Sequence, residues 1–341
     1  MRKALSLLTL AGFFLLGAPS IWAQGKDLKW GTSAVGSAGH KTLVNLASVL
    51  NREMPEYRIA VLPMAGAILT VKAYATGQIE GFYGADIGFY ELANDAGRFK
   101  GFKPNIKRQP VQSFWTYTME VGAAVHQRDR GKFRQWRDLT GQPVFTGPLP
   151  WDVRAQLERA LGVLGAKHRY VNVDLATAGS ALDAGTIRAF ITYTSAESAV
   201  APWIVEATLS TDVAILNPSA AELDVLKKAG FQIAEVNPRV FKKDVHVDKI
   251  FYLPFFYGFH VGLEVPEKDV YRMLTVIEKN AKELAKADAG LVQIAKDMPA
   301  MQRRGVESAI NLVPVHPGLA RYMRERGVWD SKWNGRIAKA Q

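Results

Sequence analysis

Cysteine is absent from the 341 residues. No disulfide can staple the fold, thiolate metal sites and thiol nucleophiles are excluded, and no lipid-bearing cysteine can follow an export signal. Histidine is scarce and dispersed: the six residues form no His-Glu-x-x-His and no close grouping with carboxylates. No Gly-x-Ser-x-Gly elbow occurs. A phosphate loop needs Gly-Lys-Ser/Thr contiguous, and here His40 separates Gly39 from Lys41-Thr42. These absences weigh against an enzyme without closing the question, because triads assemble from residues distant in sequence. Neither a cofactor nor a metal is expected.

Negative charge is in deficit, 32 acidic against 43 basic side chains, for a net charge of +11. Removing Arg2 and Lys3 brings +11 to +9. The basic residues are scattered, with no basic run or RNA-binding motif, so nucleic acid is not an expected partner. Two readings stay open: a solvated basic surface, or a field that draws anions to a cleft.

Long apolar runs are missing beyond Ala23, where nothing approaches the ~18 residues a spanning helix needs. The N-terminus is different. Arg2 and Lys3 precede the apolar run Ala4–Gly17, then comes a Pro19-Ser20 break and Ile21-Trp22-Ala23. That layout is a secretory signal peptide over residues 1–23, with the mature chain starting at or near Gln24. An uncleaved anchor is the alternative. The expected compartment is the periplasm, and the expected state is a soluble monomer.

The rest of the chain alternates short apolar strands with amphipathic helices. Leu28–Trp30, Ile59–Leu62 and Gly81–Tyr83 read as strands. Between them lie a helix with Leu43, Leu46, Ala47 and Leu50 on one face and a helix carrying Ile68, Val71 and Ala75. Asp86 is placed to cap a third helix, reaching about Ala96. A second set follows: a strand to Thr146, a helix with Val153, Leu157, Ala160, Leu161 and Leu164, and strands at Tyr170–Val173 and Ala189–Tyr193. Further on come a helix around Ala196–Ala207, a strand at Val213–Leu216 and a helix over Ser219–Ala229.

Two long extended stretches, Val111–Val125 and Ile250–Val265, interrupt this alternation. After the second the pattern is helical: Glu267–Ala287, a segment near Leu291–Lys296, and a helix opening at Pro317. The fold class is therefore α/β, two doubly wound lobes joined by two crossing strands, with a helical C-terminal tail. Lobe 1 takes residues 24–117 and 258–341, and lobe 2, residues 118–257, is inserted. Crossings without strong sheet pairing would leave the lobes free to rotate about a hinge.

In open α/β sheets ligands lie beyond the carboxyl ends of the strands. The turn Gly31-Thr32-Ser33-Ala34-Val35-Gly36-Ser37 leaves a strand and enters a helix, so backbone N–H groups and small hydroxyls can cradle a carboxylate. Thr32, Ser33, Ala34 and Gly36 are the leading candidates, against an ordinary capped turn. Gly66 and Ala67 open the second helix, and Tyr83 ends the third strand. Thr192, Tyr193 and Thr194 stand at a strand end before an expected helix, which Ser195 could equally cap. Trp151, with Asp152, occupies the matching turn of lobe 2 as a stacking platform or a surface aromatic. Phe114, Trp115, Tyr117, Phe255, Phe256 and Tyr257 concentrate on the crossings, where most should pack and one or two line the cleft.

Several segments together resemble a known family. They are Trp30-Gly31-Thr32, Gly77-Gln78-Ile79-Glu80-Gly81 before Ala85-Asp86, and Trp136-Arg137-Asp138-Leu139-Thr140-Gly141-Gln142-Pro143-Val144. Leu182-Asp183-Ala184-Gly185-Thr186-Ile187, Asp269-Val270-Tyr271 and His316-Pro317-Gly318-Leu319-Ala320-Arg321-Tyr322 complete the set. Their order and spacing are similar to the solute receptors of TRAP transporters of the TAXI type, within the type II two-lobed periplasmic binding protein fold. The resemblance implies a receptor that captures a small, anionic organic solute and delivers it to integral membrane TRAP subunits driven by an ion gradient. A receptor for an ABC or tricarboxylate-type importer, a periplasmic enzyme and a sensory binding module are the alternatives. The chain departs from the family's pattern at the ligand turns. It has Gly36-Ser37-Ala38-Gly39-His40-Lys41 in place of glycine and a tyrosine pair, and Ala67 and Thr70 in place of serine and asparagine. Pro150-Trp151-Asp152 replaces Ser-Gly-Thr. The family's amino-acid or dicarboxylate ligands therefore do not transfer.

Overall fold

The computed structural model describes residues 25–35 and 37–339. The expected signal peptide, the Gln24 start and Gly36 lie outside the described residues.

Two parallel three-strand units account for the alternating halves. In the first, β1 (Lys26–Thr32) is followed by α1 (Ala38–Glu53), β2 (Tyr57–Pro63), α2 (Ala67–Ala75) and β3 (Gly81–Ala85). β1 lies between β2 and β3. The apolar face of α1 buries Leu43, Leu46, Ala47, Val49 and Leu50, and Ser37 caps the helix by accepting from the His40 N–H at 3.2 Å. After α3 (Asp86–Ala93) the chain reaches β4 (Trp115–His126). The second unit repeats the first with β5 (Pro143–Phe145), α4 (Asp152–Leu164), β6 (Arg169–Tyr170), α5 (Ala178–Asp183) and β7 (Ala189–Ser195). β5 now sits between β6 and β7. Each unit is a βαβαβ with its first strand in the middle, so the β1–α1 and β5–α4 turns correspond.

β8 (Ala199–Val200), α6 (Pro202–Ser210), β9 (Val213–Leu216), α7 (Ala220–Lys228) and β10 (Ala234–Val236) lead to β11 (Ile250–Val261). The strand order β2-β1-β3-β11-β4-β7-β5-β6 is one continuous sheet, with β8, β9 and β10 attached to β7, β4 and β11. This corrects the expectation of weakly paired crossings. Leu253–Gly258 of β11 pairs antiparallel with Trp115–Val121 of β4. The same two strands also pair outward, β11 with β3 and β4 with β7. Their long β-branched and aromatic runs satisfy backbone groups in ladders on both sides, as a buried strand must. A bulge at Tyr257/Gly258 bends β11. There Gly258 has no room for a side chain, since a Cβ would lie 2.3 Å from the His260 ring and from the Phe114 carbonyl.

The helical tail is α8 (Glu267–Ala287), α9 (Val292–Ala309) and α10 (Pro317–Glu325). α9 runs well past the expected segment and is kinked where Asp297 leaves helical geometry just before Pro299. Two glutamines fasten it to the start of β4. Gln302 accepts from the Trp115 N–H at 2.8 Å and donates to the Trp115 carbonyl at 2.7 Å, and Gln293 accepts from the Thr118 N–H at 2.8 Å. Two other helices differ from expectation. α3 stops at Ala93 rather than near Ala96, because Asp95 and Gly97 adopt positive φ. The helix expected after Ser195 begins at Pro202; Ala196 and Glu197, with φ of 55° and 57°, instead turn β7 back into β8.

Candidate functional site

The β1–α1 and β5–α4 turns stand at the carboxyl ends of corresponding strands, with buried Thr32 closing β1 and buried Thr146 directly after β5. Thr146 donates to Glu158 Oε1 at 2.5 Å, and Glu158 in turn lies 3.4 Å from Arg154 and 3.3 Å from His168. Thr32 is wholly buried too, yet its Oγ1 has no hydrogen-bond partner among the described residues. Beside it Ser33 Oγ shares a 2.8 Å hydrogen bond with Ser37 Oγ, the cap of α1. Ala34 and Val35 are exposed. Gly39, in the first turn of α1, lies flat against Tyr83: a Cβ there would come within 2.6 Å of the Tyr83 ring and 2.7 Å of Ser33 Oγ. Thr32, Ser33, the α1 N-terminus and Tyr83 thus form one group.

Tyr83 opens onto a cluster of phenols. Its ring stacks on Tyr257 at 4.4 Å and on Phe259 at 4.6 Å, and its hydroxyl is 2.5 Å from that of Tyr117. Tyr257 donates to Asp152 Oδ2 at 2.6 Å. Burial, reinforced by neighbouring phenols and by Asp152, pushes Tyr83 and Tyr257 far above the ordinary tyrosine value, so both stay protonated donors. Sequence reading placed Tyr117 and Tyr257 on the crossings without marking them as part of this cluster; only the pairing of β3, β11 and β4 brings them beside Tyr83.

Asp152 opens α4 and faces a cation from the other half of the chain. Arg98 Nη2 lies 2.7 Å from Asp152 Oδ1, Arg98 Nε lies 2.7 Å from Glu91 Oε2, and Nη1 donates to the Pro150 carbonyl at 3.2 Å. Burial alone would depress the guanidinium, but Asp152 and Glu91 outweigh it and hold Arg98 above its ordinary value. For Glu91 the balance tips the other way, and burial raises its carboxyl despite Arg98. Arg98 and Glu91 carried no sequence signal. Glu91 lies in the last turn of α3 and Arg98 in the segment that follows it.

Gly66 and Ala67 are buried, and Gly66 meets the β5–α4 turn, where a Cβ would be 3.3 Å from the Pro150 carbonyl. Trp151 is half-buried at the head of α4. The remaining candidates are engaged inside the chain. Thr192 Oγ1 is 2.5 Å from Tyr252 OH, Thr194 donates to Glu120 Oε2 at 2.6 Å, and Tyr193 OH accepts from Trp203 Nε1 at 3.0 Å. They lie within β7 and a hairpin, not before a helix. Phe114, Trp115, Phe255 and Phe256 are core. Among the described residues no histidine–carboxylate group could hold a metal, and no helix is long and apolar enough to cross a membrane.

The fold is a mixed α/β sheet built from two βαβαβ units, crossed twice by long antiparallel strands and backed by a helical tail. The chain belongs to the NMT1-like family, whose model matches residues 30–327. No curated protein matches the sequence. Solved structures are similar to the chain at low identity. The periplasmic aliphatic sulphonate-binding protein SsuA of Escherichia coli is 17% identical, with 88% of this chain and 78% of that one covered and a TM-score of 0.44. A putative L-cystine ABC transporter protein of Listeria monocytogenes is 14% identical, with 78% and 96% covered and a TM-score of 0.44. A TRAP periplasmic solute-binding protein of Anaerococcus prevotii, with bound glucuronate, is 12% identical, with 91% and 95% covered and a TM-score of 0.39.

Proposed function

We propose that this chain is a periplasmic, non-catalytic receptor that captures a small carboxylate-bearing solute between its two lobes and hands it to a membrane importer. The lobes are residues 24–117 with 258–341, and residues 118–257. The observation that carries the reading is the contrast between the two threonines. Thr146 is satisfied by Glu158, whereas the buried Thr32 hydroxyl has no partner among the described residues and stands beside Ser33 at the N-terminus of a 16-residue helix. An unsatisfied buried hydroxyl costs about 1–3 kcal/mol. A carboxylate at that end gains hydrogen bonds and the favourable end of the helix dipole. Tyr83 supplies the aromatic wall, and Gly66, Ala67 and Trp151 border the entrance from the two halves. The Thr192–Thr194 hydroxyls would reach a solute only by giving up their present partners. The motifs from Trp30 to Tyr322 favour a TRAP-type, ion-gradient-driven importer as the membrane partner.

Native mass spectrometry of protein released from its own periplasm identifies the co-purifying solute. Ser33→Glu then fills the cradle and repels the anion. Affinity for that solute is expected to fall at least about tenfold, equivalent to ~1.4 kcal/mol, while the melting temperature without solute stays nearly fixed. The exposed Ser331→Glu is the control. Unchanged affinity in Ser33→Glu moves the cradle elsewhere. An unfolded apo-protein makes the turn structural only.

A further inference from the structure

The β5–α4 turn differs from its counterpart in lobe 1 in a second way: the chain already puts a carboxylate there. Asp152 is the first residue of α4 and only 2% of its side chain is exposed; its Oδ2 accepts from Tyr257 of β11, while Oδ1 lies 2.7 Å from Arg98 Nη2 in an ion pair without hydrogen-bond geometry. Arg98 belongs to the other half of the chain. It sits in the segment after α3 and is braced by Glu91 and the Pro150 carbonyl. Gly66 closes on the same Pro150. We propose that Arg98 and Asp152 form an internal latch that closes the lobes without solute, Asp152 occupying the helix end where an anion would otherwise bridge them. The inference rests on the lobe division proposed above, and its test uses no solute.

Charge and burial support it. Removing Arg98 leaves the buried Asp152 carboxylate with Tyr257 alone, and removing the Asp152 charge leaves Arg98 with Glu91 alone, so either change disfavours the closed contact. Opening the lobes rehydrates both groups and is the cheaper escape. Glu91 keeps Arg98 charged and aimed when the contact parts.

Small-angle scattering on the full processed protein, stripped of solute by unfolding and refolding, measures the latch. Wild type is expected to give the radius of gyration calculated for this compact arrangement. Asp152→Asn should give a larger one. Glu91→Gln, which leaves the Arg98–Asp152 pair intact, should stay compact. If Asp152→Asn fails to refold, Arg98→Lys, which keeps the charge but loses the planar fork, takes its place with the same expected expansion. A solute-free wild type as expanded as the variant overturns the latch, and so does a variant as compact as wild type.

Discussion

Thr32 ends β1 and Thr146 directly follows β5, and what differs is whether a neighbour bonds them. The same question applies to Glu120, the single acid on β4. Its Oε2 accepts from Thr194 Oγ1 at 2.6 Å and from the Glu197 N–H at 2.9 Å, while Oε1 has no partner among the described residues. Burial drives its carboxyl from 4.5 up to about 7, against the pull of Thr118, Thr194 and Glu197. The folded state therefore holds a proton that the unfolded chain has released. Stability from this group is full below the unfolded value and is lost as pH rises through the folded one. Glu120→Gln keeps an acceptor for Glu197 and removes the titration. Between about pH 5 and pH 8 its melting temperature should fall less than that of wild type. Parallel melting-temperature profiles for the two proteins would show that Glu120 ionises normally. The carboxylate also pins a turn in which Ala196 and Glu197 both hold positive φ, so the local strain has an identifiable anchor.

At the scale of elements, α1 docks through a glycine. Gly39 brings the first turn of the helix onto the Tyr83 ring, and that contact aligns Ser33 and Ser37 with the phenol cluster. Alanine is ordinarily the better helix former by about 1 kcal/mol. Here its methyl group would enter space already filled, and overpacking costs about 1–3 kcal/mol. Gly39→Ala is expected to lower the denaturant midpoint without changing the slope of the transition. A variant as stable as wild type would mean that α1 slides outward freely, and that Tyr83 does not fix its position. α9 is fixed differently, by Gln302 and Gln293 gripping the backbone of β4. The tail is therefore tied to a crossing strand and does not merely cover the surface.

For the whole molecule, the continuous sheet decides how the lobes are coupled. Rotation about the crossings has to bend a ladder formed by Leu253–Gly258 and Trp115–Val121, with the bulge at Tyr257/Gly258 as the natural bend point. Two bodies sharing such a ladder are expected to unfold together. Far-ultraviolet circular dichroism and tryptophan fluorescence should report one coincident transition in denaturant. Two separated transitions would show that the lobes are independent and that the shared ladder is weak.

The sequence by itself determined the α/β class, the order of most elements and the two turns worth attention. Those features are local: period-3.6 apolar faces in α1 and α4, short apolar strands, and small residues where a strand enters a helix. It also marked Thr32, Ser33 and Tyr83 as belonging near strand ends. It did not carry the pairing of β4 with β11, because hydrogen bonds between strands more than a hundred residues apart leave no periodic trace in either strand. For the same reason nothing in the sequence singled out Arg98 and Glu91, and Thr192–Thr194 stood as candidate ligand hydroxyls. A side chain's partners are set by what the fold carries to it across the sheet. Which threonine is satisfied, which acid is buried and which arginine bridges the halves were decided only by the tertiary structure.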